Sequence, residues 1–265
     1  MHDHAIYTHG HHESVLRAHT WRTVENSAAY LAPHLVPGMR LLDVGCGPGT
    51  ITADLARRVA PGQTIGIDAA PGVIELAVRD NGESTAVFET GDVTDLRFDD
   101  ASFDVVHAHQ VLQHLADPVA ALVEMRRVCK PGGLVAARDG DYRAFTWYPA
   151  DPGLDRWLAT YEAVARANGG EPDAGRHLAA WARRAGFSEV VASASVWCFS
   201  EPPEREWWGE LWADRISDSP LAHRATELGL ADPTDLAAMA EAWRRWARDQ
   251  DGWFACLHGE VLCRP

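Results

Sequence analysis

Short apolar runs alternate with segments of helix period through the first half of the chain. Residues 40–44, 64–67, 86–89, 103–108 and 134–138 are runs dominated by branched and aromatic apolar residues, and they read as five strands. Segments 50–59, 71–80 and 119–128 carry apolar positions at helix spacing, with Pro71 in a first turn. Pro61-Gly62 and the stretch 130–133, KPGG, supply the turns into the second and fifth strands. Upstream, a helix is expected from Glu13 onward: Val24, Ala28, Leu31 and Leu35 recur on one face, and Pro37-Gly38 ends it. Runs as apolar as 103–108 suit parallel strands covered on both faces.

From Asp139 the alternation breaks. Residues 139–152 are aromatic and loop-like, while 154–167 and 174–185 read as helices. A sixth strand is expected at 190–199 and a last one at 253–263, whose alternation suits an antiparallel partner of the sixth. Between them, 201–249 is mainly helical and rich in tryptophan. Five right-handed β/α units and a closing hairpin define one α/β domain over residues 1–265. Its cap elements are expected at about 1–35, 139–180 and 201–249.

Composition narrows the class. The chain has 265 residues, 46% of them hydrophobic and 23% charged, as in a soluble globular protein. Its net charge is -14, from 24 basic and 38 acidic residues, and no basic tract stands ready for several phosphates, which disfavours nucleic acid. No apolar run reaches the roughly 18 residues of a membrane span, and the polar start MHDHAIYTHGHHES is unlike a secretion signal. The five cysteines, Cys46, Cys129, Cys198, Cys256 and Cys263, form no CxxC pair and suit reduced thiols in the cytoplasm. Histidines 2, 4, 9, 11 and 12 have no convincing Cys or carboxylate partner, so no metal is expected.

Candidate chemistry is concentrated at residues 41–50, LLDVGCGPGT. A strand there runs into Gly45, Gly47 and Gly49 and then into a helix, so that backbone N–H groups can approach a ligand closely. The second strand ends at Asp68, 23 residues beyond Gly45, the distance at which a βαβ unit offers a carboxylate to a ribose diol. Asp68 argues against a ribose 2′-phosphate through like charge. It leaves NAD open, but GCGPG departs from GxGxxG and Asp92 adds a second acid.

With these residues in family order, the chain resembles the class I S-adenosylmethionine-dependent methyltransferases. It looks most like the branch of ubiquinone and menaquinone biosynthesis enzymes and small-molecule methyltransferases of secondary metabolism. The likeness is strong over residues 40–138. It implies a Rossmann-like, seven-stranded, mostly parallel sheet of order 3-2-1-4-5-7-6 with an antiparallel last strand, a helical cap and an N-terminal lid. It implies S-adenosyl-L-methionine as cofactor and S-adenosyl-L-homocysteine as product. Asp43, Gly45, Cys46, Gly47 and Gly49 would wrap its amino-acid end, and Asp68, followed by Ala69, its ribose. Gly91, Asp92 and Val93 would meet the adenine. The stretch 107–118, HAHQVLQHLADP, which holds His109 and Gln110, would line the cofactor and the acceptor entrance.

Methyl transfer requires a nucleophile held about 3 Å from the methyl group, with water excluded. The N-terminal arm is the expected lid, with Tyr7 and His9 at its tip. Arg22 behind it either pairs with the methionine carboxylate or forms a surface ion pair. Histidines are the natural proton acceptors near neutral pH, and His109, His114 and His9 are the candidate bases. Tyr142, Phe145, Trp147, Tyr148 and Trp208 are candidates for binding an aromatic or partly apolar acceptor; core packing is the alternative for the cap tryptophans. A homodimer contact through surface tryptophan is a further expectation. Methylation at oxygen or nitrogen is expected first. C-methylation of a quinone precursor, a non-catalytic S-adenosylmethionine-binding protein and an NAD(P)-dependent oxidoreductase stand as rivals.

Overall fold

A computed structural model describes residues 21–265. The sheet forms where the apolar runs predict it. β1 (Leu41–Val44), β2 (Thr64–Asp68), β3 (Val87–Thr90), β4 (Phe103–His109) and β5 (Cys129–Gly140) are parallel and ordered β3-β2-β1-β4-β5. β6 (Thr146–Tyr148), β7 (Glu189–Phe199) and β8 (Trp253–Arg264) complete it. β8 runs antiparallel between β5 and β7, so the last long strand lies inside the one before it, as the resemblance implies. β6 follows β5 along the same edge of β8, pairing Thr146 with Ala255 and Tyr148 with Trp253.

Helices α1 (Val24–Ser27), α2 (Thr50–Val59), α3 (Pro71–Asp80), α4 (Pro118–Val128), α5 (Pro152–Ala167), α6 (Ala174–Arg184), α7 (Pro202–Ser217), α8 (Pro220–Glu227) and α9 (Pro233–Arg248) fill the layers. The two-residue strand period divides the core. Leu41, Val105, Leu134 and Ala136 face α1 and α2, whereas Leu42, Val44, Val106, Val135 and Ala137 face α4 and α6. A third apolar body is the cap, where α5, α7, α8 and α9 close around Trp157, Trp212 and Trp243. Edge-to-face contacts hold its centre, with Trp157 4.6 Å from Trp212 and 4.7 Å from Trp243. Two excursions separated in sequence by α6 and β7 thus form one cap.

Several boundaries differ from the sequence reading. The helix expected from Glu13 is described only from Val24 and ends at Ser27, where Ala28 leaves helical backbone with φ of -141°, and the chain then tightens into a 3₁₀ turn at Ala32–His34. Val24, Ala28 and Leu31 are nonetheless buried. Residues 130–133 lie within β5 as a bulge, between the pairings Phe103–Cys129 and Val105–Leu134. The aromatic loop contains β6, whose Thr-Trp-Tyr sequence suits an edge pairing. α6 packs on the sheet through Leu178, Trp181 and Ala182, so the excursion expected at 139–180 divides between cap and sheet layer. Trp208, Trp212, Trp243 and Trp246 are buried in the core of the cap. Among the described residues no helix is long and apolar enough to cross a membrane.

Candidate active site

The loop after β1 turns through three left-handed glycines, with φ of +64° at Gly45, +55° at Gly47 and +83° at Gly49. Asp43, just before it, is buried: its Oδ1 lies 2.7 Å from His107 Nδ1 and its Oδ2 accepts from Thr52 Oγ1 at 2.5 Å. That pair ties β1 to β4 and α2 and sets the direction of the loop. Cys46 N donates to Ile67 O at 2.9 Å. Gly47 N donates to Asp68 Oδ2 at 3.1 Å, and Ala70 N to Asp68 Oδ1 at 3.0 Å. The glycine loop and the acid at the end of β2 are therefore one hydrogen-bonded unit. Each carboxylate oxygen has lone-pair capacity left for a diol.

Gly91 N donates to Asp68 O at 3.0 Å, which brings the next acid alongside. Asp92 Oδ1 accepts from Thr94 N and Thr94 Oγ1, at 2.8 and 2.7 Å. Its other oxygen makes no hydrogen bond among the described residues. Gly45, Cys46, Gly47, Asp68, Ala69, Gly91, Asp92 and Val93 all line one cavity of about 1320 Å³, together with Asp43. Two carboxylates and left-handed backbone at one cavity wall fit the diol, amine and close backbone approach of an adenosyl ligand. Gly49 stands outside the lining; as the N-cap of α2 it lies where an added Cβ would meet the Phe88 ring at 2.6 Å.

The same cavity continues under the cap. Arg22, His109, Gln110, His114, Tyr142, Phe145 and Trp208 line it. Trp147 and Tyr148 do not: Trp147 stacks on Phe254 at 5.6 Å and Tyr148 is exposed, because β6 turns both away along β8. The structure thus does not bring these two together with the other acceptor candidates. Tyr7 and His9 lie outside the described residues, as do the other histidines of the N-terminal cluster.

Five residues unforeseen in the sequence shape this half. Arg138, on β5 and 1% exposed, donates from Nη1 to His109 Nε2 at 2.9 Å and from Nε to Ser195 Oγ at 3.0 Å. Glu260 lies 3.4 Å from Arg138 Nε and accepts from the hydroxyls of Ser193 and Ser195. Burial brings the Arg138 guanidinium down to about 10, with Glu260 pulling it up. Burial, and then the charges of Arg22 and Arg138, hold His109 well below the usual histidine range. Nε2 accepts from Arg138, which leaves the proton of the neutral ring on Nδ1, a buried atom with no hydrogen-bond partner among the described residues.

His258 repeats this pattern on β8. Its Nδ1 donates to Cys256 O at 3.0 Å, while Nε2 accepts from Gln110 Nε2 at 2.9 Å. Gln110 Oε1 in turn accepts from Arg22 Nη2 at 2.5 Å, so its amide is held at both ends. The backbone of Gln110 is left-handed, φ +54°, a strained state for a residue with a side chain and common beside ligands. His114 sits in the 3₁₀ turn Leu112–His114, 3.1 Å from Gln113 Nε2, and burial lowers it to about 3. Trp197 and Arg215 complete the unforeseen lining. The cross-strand pairs Ser193–Glu260 and Ser195–His258 could have been found from period-two alternation, but only once the β7–β8 register is known.

The sheet order and the joined loop, Asp68 and Asp92 define the Rossmann-like architecture of methyltransferases. A family model described as a methyltransferase domain matches residues 42–137. The chain is 34% identical over 271 residues to an uncharacterised methyltransferase of Schizosaccharomyces pombe, covering 98% of this chain and 96% of that one. It is 31% identical over 278 residues to a probable methyltransferase of Aspergillus luteorubrus, covering 97% and 96%. The crystal structure of the YcgJ protein from Bacillus subtilis shares the fold, with TM-score 0.57 at 19% identity over 89% of this chain and 96% of that one. The chain belongs to the S-adenosylmethionine-dependent methyltransferases.

Proposed function

We propose that this methyltransferase acts on a small aromatic or partly apolar acceptor, at oxygen or nitrogen. The observation that carries the reading is one continuous cavity, acidic and glycine-lined at the β1–β3 end and ring-lined beneath the cap. S-adenosylmethionine supplies an electrophilic methyl group on a sulfonium. Asp68 accepts from the ribose hydroxyls and Asp92 from the adenine amine, while the loop backbone passes close to the amino-acid end. Tyr142, Phe145 and Trp208 hold an acceptor ring and exclude water from it.

The histidines take a different part from the one their residue type suggests. Arg138 occupies Nε2 of His109 and its Nδ1 is buried, so the ring serves as part of the cavity wall rather than as a base. His114 and His258 shape the wall. An acceptor that ionises readily then needs proximity more than a protein base.

The test is incubation of the purified chain with methyl-labelled S-adenosylmethionine and panels of phenols, aromatic amines and quinone precursors. Label transferred to oxygen or nitrogen, with equal S-adenosylhomocysteine, is the expected result. Transfer only to ring carbon would replace this reading with C-methylation. Tight cofactor binding without transfer to any panel member would make the chain a binding protein.

A further inference from the structure

The cavity is electrostatically lopsided. Its lining carboxylates, Asp43, Asp68, Asp92, Asp95 and Asp117, all come from β1 and the loops that follow β2, β3 and β4. Of the lining arginines among the described residues, Arg97 follows β3 on the side of those acids, whereas Arg22 and Arg215 lie under the cap.

Arg215 belongs to α7 and is buried, yet it reaches the cavity wall. Its guanidinium lies over the Trp212 ring at 4.7 Å. Trp208, Trp212 and Arg215 follow one another at helical spacings of four and three residues, so all three occupy one face of α7. Tyr142 stands close enough for the Arg215 charge to oppose the rise that burial gives its hydroxyl, which reaches about 12. The Arg215 guanidinium carbon lies within cation–π reach of the Trp212 ring, and a guanidinium can receive a carboxylate through two parallel hydrogen bonds.

Resting on the function proposed above, we propose that the acceptor is an aromatic anion of the hydroxybenzoate class. Its ring lies against Trp208, Trp212 and Tyr142, and its carboxylate is taken by Arg215. The hydroxyl to be methylated then points away from the cap, toward the glycine-loop end. On transfer, the phenolic oxygen gains the methyl group, the sulfonium carbon–sulfur bond breaks with its electrons going to sulfur, and the phenolic proton passes to water.

The experiment is calorimetric titration of the chain, saturated with S-adenosylhomocysteine, with 4-hydroxybenzoate and with its neutral isostere 4-hydroxybenzamide. The acid should bind at least about tenfold tighter than the amide. Arg215→Gln, shown to be folded by its thermal melt, should lose that preference, and Arg215→Lys should keep part of it. An acid that binds no tighter than the amide to the unaltered chain overturns the proposal, whether both bind or neither does. So does a preference that survives Arg215→Gln. Failure of the unaltered chain to bind S-adenosylhomocysteine would instead strike the cofactor site; bound cofactor with no acid preference strikes the acceptor class alone.

Discussion

Asp139 is fully buried at the end of β5, where its Oδ1 accepts from Gln113 N at 3.1 Å and steadies the 3₁₀ turn that carries His114. Burial raises its carboxyl to about 7, against the pull of these backbone N–H groups and Arg138. A carboxyl raised in the folded state contributes stability below its unfolded value, and that contribution is lost as pH rises from about 4 to about 7. Asp139→Asn, which keeps the accepting oxygen, should remove this slope. Urea unfolding from pH 4 to 8 should show the unaltered chain losing up to about 4 kcal/mol relative to the variant. Parallel curves would contradict the buried proton.

His109 makes the companion prediction for activity. Its folded value lies well below 6.5, so it stays neutral above pH 6, and kcat/KM should show no histidine inflection between pH 6 and 8. An inflection near 6.5 that disappears in His109→Asn would make His109 a titrating base instead. At this scale the grouping of the glycine loop with Asp68 and Asp92 was legible in the sequence. Gly45, Gly47, Asp68 and Asp92 lie within short strand-loop units, where spacing dictates position. Arg138, Glu260 and His258 were not legible, because their meeting depends on β5, β7 and β8 lying side by side across more than a hundred residues of chain.

Between elements, a close backbone approach joins α6 to β8. A Cβ added at Gly259 would lie 2.0 Å from Gly175 O, and one at Gly175 2.7 Å from Gly259 N. Both contacts are with backbone, so no side-chain rearrangement relieves them. Gly259→Ala should therefore destabilise the chain by about 3 kcal/mol, measured by denaturant unfolding, while Gly132→Ala, whose added Cβ meets nothing within 4 Å, should show only the smaller cost of its left-handed backbone. Equal losses would mean that the α6–β8 contact is looser than described. Parallel strands and their helices were readable from period and turn residues. β6 was not, since three residues form a strand only when β8 offers an open edge beside β5.

For the whole molecule, the cap decides what the cavity can hold. Its α5 comes from one excursion and α7 to α9 from the other, and Trp157 of α5 bridges them through Trp212 and Trp243. Trp157→Ala should cost about 3–5 kcal/mol and loosen acceptor binding more than cofactor binding, read by thermal melts and paired titrations. Equal weakening of both ligands would mean that cap and sheet act as one rigid unit. Tryptophan spacing showed helical faces in this region, but joining the two excursions required the sheet between them.

The central claim is that the loop from Gly45, Asp68 and Asp92 surround one adenosyl ligand. Its most direct test is calorimetric titration with S-adenosylhomocysteine, comparing the unaltered chain with Asp68→Ala. We predict one site per chain, with binding weakened by about tenfold or more in the variant, or at least about 1.4 kcal/mol. No heat from the unaltered chain, or the same affinity without the Asp68 carboxylate, would contradict the account.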